Sequence, residues 1–293
     1  MTDAGQRVAA TILTRNRRDL LRDSIRAVQG QTRPVEELIV VDNASTDGTL
    51  EMLAEEFPDV GVVALPENQG ATGGFYEAIA AGRRTGVDWL WLLDDDSIAR
   101  DDALAELVAV LDRLDGDLAP AVLCSRVEWH DGTPHAMNRP VVRPDSGQQL
   151  VDAVTRRLFP IRAASWVSLM ISTDAVDRFG MPLRQFFYQA DDIEYTARIL
   201  RDARGYYVPR SVVVHATPTQ HTAVDDDHRF HYHIRNTLLM IRGRAWELRE
   251  KPGLVWVAIW TSLVYLRINR RRPLPALRNL LSGLWSGLRT PAG

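Results

Sequence analysis

The sequence of 293 residues contains a single cysteine, Cys124. One cysteine excludes an internal disulfide and a zinc site built from cysteines. Two glycine signatures of nucleotide binding are also absent. The first apolar stretch, residues 8–13, is followed by Thr-Arg-Asn-Arg instead of Gly-x-Gly-x-x-Gly, and the chain has no Walker lysine motif. The sequence therefore predicts neither a dinucleotide site nor a phosphate-binding P-loop.

Long apolar runs and a signal peptide are missing as well. The uncharged run at residues 254–266 is thirteen residues long, below the roughly 20 that a membrane-spanning helix needs. The amino-terminal residues lack the charged-then-apolar pattern of a signal peptide, so we expect a cytoplasmic protein. Residues 242–293 carry a net charge of +8 and residues 1–241 carry −11. An acidic body without a basic, aromatic-bearing groove argues against nucleic-acid binding.

What is present is an alternation of strand and helix patterns. Apolar stretches at residues 8–13, 37–41, 60–65 and 89–93 are separated by amphipathic helical segments and short links. This alternation predicts an α/β fold with a parallel sheet and helices on both faces. Further strand-like stretches are expected at residues 121–127, 165–171 and 206–214.

Three carboxylates, Asp94, Asp95 and Asp96, follow the buried strand predicted at residues 89–93. Ligands of open α/β sheets bind outside the carboxyl ends of the strands. Mg²⁺ is usually held there by one or two carboxylates and the phosphates of its substrate. The triplet therefore predicts a site for a metal and a diphosphate. The alternative is an acidic turn in which Asp96 or Ser97 caps a following helix.

Polar residues also follow the other three predicted strands, which indicates a pocket at this edge. Asp42 is a candidate acceptor for a base or ribose group, and Arg15 or Arg17 for phosphate. Glycines at positions 70, 73 and 74 permit close approach of the backbone to a ligand, or alternatively begin a helix and allow tight packing.

A second acidic stretch, Asp191-Asp192-Ile193-Glu194, opens a predicted helix. Carboxylates are favoured at a helix N-terminus by the helix dipole, so helix capping is one interpretation. A carboxylate near neutral pH can also take a proton from a substrate hydroxyl, which is the second interpretation.

Together these motifs resemble the GT-A glycosyltransferases of family 2. The resemblance spans roughly residues 7–245 and rests on TRNR, VVDNASTDGT, PENQGATGGF, DDD and ADDIEY. It implies a mixed sheet flanked by helices, a nucleotide-diphosphate sugar donor, a Mn²⁺ or Mg²⁺ ion, and inversion at the anomeric carbon. It also implies a catalytic domain over residues 1–245, with a nucleotide-sugar half at 1–118 and an acceptor half at 119–245.

The resemblance implies roles for individual residues. Asp192 matches the catalytic base, with Asp191 as its main competitor, and the metal set is Asp94, Asp96 and His215. Glu194 and Trp166 are expected on the acceptor side, although Trp166 is equally interpretable as a core residue. The expected donor-binding residues are Thr14, Arg15, Arg17, Asp42, Asn68, Gly70, Asp94 and Asp95.

Within this family the motifs are most similar to the galactofuranosyltransferases that initiate bacterial cell-wall galactan. That similarity implies UDP-galactofuranose as donor and a polyprenyl-diphosphate-linked glycan as acceptor. Rhamnosyltransferases using dTDP-rhamnose share much of the motif set and remain an alternative. Two other classes of protein are weighed against this interpretation. A nucleotidyltransferase would need a basic glycine-rich loop after the first strand, and the Thr-Arg-Asn-Arg sequence there is not such a loop. A non-catalytic sugar-nucleotide binder would not need a base, so the presence of Asp192 counts against it.

The last segment, residues 246–293, predicts two basic, tryptophan-bearing amphipathic helices. They resemble an anchor at a membrane surface, here the inner face of the plasma membrane. The alternative is a helical hairpin packed on the catalytic domain or on another subunit, so self-association stays open. Residues 216–227 are predicted to form a loop that orders on donor binding, and His231 or Arg235 is placed near the phosphates.

Overall fold

The computed structural model describes residues 5–143, 147–219 and 229–292. The prediction of a donor-ordered loop at residues 216–227 falls largely outside these residues, as does His228. Across the described residues the strands are Val8–Thr14 (β1), Glu37–Asp42 (β2), Gly61–Ala64 (β3), Trp89–Asp94 (β4), Ser97–Ala99 (β5), Val122–Glu128 (β6), Val141–Val142 (β7), Phe159–Ala163 (β8), Leu169–Ser172 (β9) and Gly205–His215 (β10).

The α-helices in the same ranges alternate with these strands in the first half and gather at the end of the chain. They are Arg18–Gln29 (α1), Thr49–Glu56 (α2), Gly70–Arg84 (α3), Ala103–Leu111 (α4), Gly147–Thr155 (α5), Thr173–Phe179 (α6), Asp191–Asp202 (α7), Phe230–Arg242 (α8), Lys251–Ile268 (α9) and Pro273–Arg289 (α10).

The strands are joined side by side in the order β3-β2-β1-β4-β9-β6-β10-β8-β7, with β5 pairing β10. The four strands predicted from the alternation, β1 to β4, are present, and their mutual pairings are parallel. The second half is mixed, because β9 runs antiparallel to both β4 and β6. The mixed sheet implied by the family resemblance is confirmed, whereas the alternation alone predicted only its parallel part.

Helices cover both faces of the sheet. Successive side chains of a strand point to opposite faces, so each strand contributes to the core on both sides. On β1, Val8, Ala10 and Ile12 pack with α1, α2 and α4. Ala9 and Leu13 face the other way and pack with α3, α6 and α7. The continuous apolar stretches of the sequence are therefore explained by helices on both faces.

Two local predictions need correction. The acidic turn does not cap a helix, because residues Ser97–Ala99 form β5 and α4 begins only at Ala103. The strand predicted from residue 165 begins at Leu169, because Ser168 has a positive φ of 55° that interrupts the extended backbone.

The carboxy-terminal helices pack on α8 through closely approaching backbones. A Cβ on Gly283 of α10 would lie 2.7 Å from the His231 carbonyl oxygen, and one on Gly287 would lie 3.0 Å from the Arg235 carbonyl oxygen. One face of the carboxy-terminal hairpin thus packs on α8, as the second of the two alternatives predicted. Within the described residues, none of the helices has the length and hydropathy needed to cross a membrane.

The hydrogen bonds of a buried arginine join the two segments that the sequence divides between residues 245 and 246. Arg162 on β8 donates hydrogen bonds to both carboxylate oxygens of Glu250, at 2.8 and 3.0 Å. It also donates to the carbonyl oxygens of Ala197 on α7 and Ala245. Since a buried guanidinium is tolerated only when it is paired and hydrogen-bonded, these bonds fix the start of the carboxy-terminal segment against the sheet.

Candidate active site

The polar residues that end the parallel strands lie at one edge of the sheet. Thr14 on β1 is in register with Asp42 on β2, and Leu13 is in register with Asp94 on β4. The carboxyl ends of adjacent parallel strands thus bring these side chains together, as the sequence predicted. This edge is where open α/β sheets bind their ligands.

The acid triplet forms a tight turn between β4 and β5. Because β5 pairs antiparallel with β10, Ser97 lies opposite His215, and the imidazole comes beside the triplet. One ligand atom each from Asp94, Asp96 and His215 lies within 4.8 Å of the others. The fold therefore brings His215 beside Asp94 and Asp96, although it lies far from them in sequence. These are the three residues that the family resemblance grouped as metal ligands.

The chemistry of this set fits a divalent cation. Asp96 Oδ1 is buried without a hydrogen-bond partner in the described residues, although His215 Nε2 is only 3.0 Å away. Burial and the charges of Asp96 and Asp95 raise the pKa of Asp94 well above its usual range. Burial acts to raise the pKa of Asp96 too, but His215 and Arg17 outweigh it and lower that pKa. Carboxylate oxygens with one imidazole nitrogen would hold Mn²⁺ or Mg²⁺, with Mn²⁺ the better match for imidazole.

The imidazole of His215 is oriented by a residue that the sequence did not single out. His215 Nδ1 lies 2.8 Å from Asn138 Oδ1, and the amide nitrogen of Asn138 donates to Ser165 Oγ at 3.0 Å. Since a carbonyl oxygen only accepts, Nδ1 carries a proton, and Nε2 is the ring nitrogen that faces the acid triplet. Asn138 ends a short 3-10 helix, Ala136–Asn138, in a polar stretch without a recognisable motif, so no sequence signal indicated this contact.

Asp95, the middle carboxylate of the triplet, bonds to the end of β1 and to the loop that follows it. Asp95 Oδ2 accepts a hydrogen bond from the Thr14 hydroxyl at 2.9 Å and from the Arg15 backbone N–H at 3.3 Å. Arg17 donates to Asp95 and to Asp96. The side chains of Thr14 and Asp95 therefore bond to each other and tie the loop after β1 to the triplet, and their contact with the donor stays a prediction.

The side chain of Asp42 retains an unused acceptor inside the pocket. Its Oδ2 accepts from the Ser45 backbone N–H at 3.0 Å, while its Oδ1 is buried without a hydrogen-bond partner in the described part of the chain. Asn43, which the sequence did not single out, bridges to α3: it donates to the Gly70 carbonyl oxygen and accepts from the Gln69 N–H. Arg15 is exposed at the same edge.

The start of α3 is shaped by contacts inside the protein. Gly70 has a φ of +73°, and a Cβ there would lie 2.2 Å from the Phe187 carbonyl oxygen. Asn68 Oδ1 accepts a hydrogen bond from the Gly70 backbone N–H at 3.0 Å. Phe187 thus fills the space beside the Gly70 Cα, and contact of this glycine with the donor stays a prediction. The alternative of tight packing explains this glycine.

The second acidic stretch presents two unequal carboxylates. Asp191 is 4% exposed, and its Oδ2 accepts a hydrogen bond from the Trp166 indole N–H at 2.9 Å. Asp192 is only partly buried, and its Oδ1 accepts a hydrogen bond from the Ile193 N–H at 2.7 Å. Burial and the charge of Asp191 raise the pKa of Asp192 to about 7. The Asp192 charge in turn makes the smallest of the contributions that raise the pKa of Asp94, after burial and the charges of Asp96 and Asp95, while Arg17 lowers it.

The two residues expected on the acceptor side both lie inside the protein. Trp166 is 4% exposed, and its ring stacks on Phe75 with 4.6 Å between centroids. Glu194 is buried and pairs with Arg198 at 3.1 Å, one helical turn later. Trp166 therefore does not present an open face to a sugar, and its observed partner is Asp191.

Comparisons with known proteins identify the family and the fold of this chain. Residues 10–163 match the family described as glycosyl transferase family 2. A galactofuranosyltransferase, GlfT1 of Mycolicibacterium smegmatis strain ATCC 700084, is 29% identical over 208 residues, which cover 66% of this chain and 65% of that protein. The chain thus spans just under two thirds of the length of this curated relative.

Two solved structures share the fold. TarS residues 1–349 of S. aureus, in complex with UDP-GlcNAc, is 16% identical with a TM-score of 0.64, covering 97% of this chain and 81% of that one. The mannosyltransferase PcManGT of Pyrobaculum calidifontis, in complex with GDP-Man and Mn²⁺, is 20% identical with a TM-score of 0.59, covering 98% and 82%. The architecture is that of the GT-A transferases, and because the family match extends over half of its length, the chain belongs to glycosyl transferase family 2.

Proposed function

We propose that this protein is a metal-dependent, inverting glycosyltransferase that transfers galactofuranose from UDP-galactofuranose to a polyprenyl-diphosphate-linked cell-wall glycan. The observation that carries the proposal is the cluster of Asp94, Asp96 and His215 at the carboxyl ends of the parallel strands, with the Asp192 charge near enough to act on the pKa of Asp94. Such a cluster suits a donor diphosphate, and a nearby carboxylate of raised pKa suits proton removal from an acceptor hydroxyl. The galactofuranosyltransferase relative supports the choice of sugar.

The chain's own residues divide the work of the transfer between the two acidic stretches. The buried Oδ1 of Asp42 would accept a hydrogen bond from the nucleoside, and Arg15 would meet the phosphates. Asp94, Asp96 and His215 would hold Mn²⁺ or Mg²⁺. When bound, that cation would offset the negative charge that builds on the leaving diphosphate.

Asp192 would take the proton of the acceptor hydroxyl. The hydroxyl oxygen then forms a bond to the anomeric carbon while the bond from that carbon to the diphosphate oxygen breaks on the opposite face. The nucleoside diphosphate leaves with the bonding electrons, and the configuration at the anomeric carbon is inverted. Asp191, held by the Trp166 indole, keeps the pKa of its neighbour high through its own charge.

The carboxy-terminal hairpin supports a lipid-linked acceptor. Trp256, Trp260 and Trp285 are 63%, 56% and 59% exposed, and several leucines on the same two helices are exposed as well. Arg267 lies in the last turn of α9, and Arg270, Arg271 and Arg272 lie between α9 and α10. Exposed tryptophan and leucine flanked by arginine suits an anionic bilayer surface, so we place the protein peripherally on the inner face of the plasma membrane.

Donor selection tests the proposal. Binding and transfer would be measured with UDP-galactofuranose and with dTDP-rhamnose, each with Mn²⁺ and again with EDTA, using an Asp94→Asn variant as control. We expect metal-dependent binding and transfer of the UDP sugar, both weakened in the variant. Preference for dTDP-rhamnose would replace the sugar and leave the mechanism in place. Metal-independent binding of both donors would overturn the metal assignment.

A further inference from the structure

The loop that leads into Asp191 and Asp192, residues 185–190, has an unusual backbone. Phe187, Gln189 and Ala190 all have positive φ values, 59°, 65° and 59°, although none of them is glycine. The Tyr188 backbone N–H bonds back to the Phe186 carbonyl oxygen at 2.6 Å, which closes a tight turn around Phe187. Residues with side chains adopt such conformations only where the surroundings hold them, and such strain is concentrated at functional sites.

The surroundings that hold this loop are two adjacent residues of α8. Asn236 is fully buried, and its amide nitrogen donates to the carbonyl oxygens of Phe186, Tyr188 and Gln189 at 3.0, 2.7 and 2.6 Å. Arg235 donates to the carbonyl oxygens of Gln185 and Phe186. The guanidinium Nε also donates to Asn236 Oδ1 at 2.9 Å, which orients the amide.

The remaining carbonyl of the loop is held from the opposite side. The Thr72 backbone N–H of α3 donates to the Phe187 carbonyl oxygen at 3.3 Å. Consecutive carbonyl oxygens from Gln185 to Gln189 therefore all accept hydrogen bonds, that of Phe187 from α3 and the other four from Arg235 or Asn236 of α8. The loop ends where α7 begins, at Asp191, so its backbone sets the position of both carboxylates.

We propose that Asn236, oriented by Arg235, is a positioning residue that fixes the loop so that Asp192 meets the acceptor hydroxyl. This proposal rests on the proposed function of Asp192 as the base. It also replaces the prediction that Arg235 lies near the phosphates, because the observed partners of its guanidinium are loop carbonyl oxygens and Asn236. A planar amide is suited to this work, because its two N–H groups can be shared among several carbonyl oxygens.

Asn236→Ala and Asn236→Asp test the proposal. The first removes the donors, and the second places carboxylate oxygens against carbonyl oxygens. A displacement of the base by about 1 Å is expected to lower kcat about 100-fold. The KM for the donor is expected to stay within about twofold, because Asp42 and the metal cluster, rather than this loop, are assigned to the donor. A merely structural role would reduce the amount of folded protein without separating kcat from KM.

Thr237→Val is the matched control on the same helix. Thr237 is buried, and its hydroxyl bonds only to the His233 carbonyl oxygen of its own helix in the described residues. We expect this variant to keep the wild-type kcat. Should Asn236→Ala fail to fold, Arg235→Lys provides the same test, because it keeps the charge but loses the fork that reaches Gln185 and Phe186.

Amide hydrogen exchange supplies a readout that does not depend on activity. Faster exchange in a peptide covering residues 185–192, in the Asn236 variants and not in Thr237→Val, is the expected result. Unchanged exchange together with an unchanged kcat would overturn the positioning role. If the wild-type protein transfers no sugar but the exchange difference is still present, the proposed function is overturned. The hydrogen bonds by which Asn236 holds the loop would then still be established.

Discussion

Asn138 holds the imidazole of His215 from the side away from the acid triplet, with 2.8 Å between Asn138 Oδ1 and His215 Nδ1. This contact fixes the tautomer in which Nε2 is available to a cation. Replacing such an orienting partner typically costs 10–100-fold in metal affinity. We expect Asn138→Ala to weaken Mn²⁺ binding by about that factor, measured by calorimetry on the protein without donor. Asn269→Ala, at the end of α9, is the control, and equal affinities in the two variants would contradict the assignment.

Asp192 is expected to control the pH dependence of transfer. Its pKa is raised to about 7 by burial and by the charge of Asp191. A protonated carboxyl cannot accept the acceptor proton, so kcat/KM should fall as the pH drops below about 7 and level off above it. The pH profile of the wild-type enzyme measures this directly, and a rate that is flat between pH 5 and pH 8 would exclude Asp192 as the base.

Removal of the base should separate catalysis from donor binding. General-base catalysis contributes roughly 10²–10⁴-fold, so Asp192→Asn should lose about that much in kcat while donor affinity is retained. Asp202→Asn, an exposed residue at the other end of α7, serves as the control. If Asp191→Asn abolishes transfer and Asp192→Asn does not, the two roles are reversed.

Gly70 and Gly86 form a natural pair for testing the packing of α3. Both have left-handed backbones, with φ values of +73° and +70°, but a Cβ on Gly86 meets nothing within 4 Å. Gly86→Ala should therefore cost only the conformational penalty, about 1–2 kcal/mol. Gly70→Ala adds a clash with Phe187, and we expect a further loss of about 1–3 kcal/mol in the free energy of unfolding. Urea denaturation of the two variants measures the difference, and equal losses would contradict the contact.

The exposed face of the hairpin should bind anionic vesicles. Replacing Trp256, Trp260 and Trp285 together by serine removes large apolar side chains that would enter the bilayer surface, and should lower partitioning at least about tenfold. Sedimentation with phosphatidylserine vesicles measures this, with phosphatidylcholine vesicles as the comparison. Serine at Val151 and Val154, which are exposed on α5, is the control. A wild-type protein that ignores both vesicles but dimerises would assign the face to another subunit.

The sequence predicted the features that depend on local order along the chain. The parallel strands β1 to β4 and the polar residues at their ends follow from short stretches, since each strand end places its own side chain at the shared edge. His215 was grouped with Asp94 and Asp96 only through the family resemblance, and the pairing of β5 with β10 brings them together.

The contacts that were missed all join distant segments. Asn138 and Asn236 are single amides in stretches without a diagnostic pattern, and their importance depends on tertiary contacts with His215 and with the loop at residues 185–189. Gly70 was assigned to the ligand because a glycine pattern cannot reveal whether substrate or Phe187 fills the adjacent space. For the same reason, the assignment of Thr14 and Asp95 to the donor did not reveal that their side chains bond to each other.

Helix α8 contacts the loop before Asp191 on one side and the glycines of α10 on another. Gly283 and Gly287 approach α8 so closely that a bulkier helix would not fit in place of α10. The hairpin is therefore not an interchangeable tail. A chimaera that borrows the last two helices from another protein would have to borrow a matching α8 as well, and with it the residues that hold the catalytic loop.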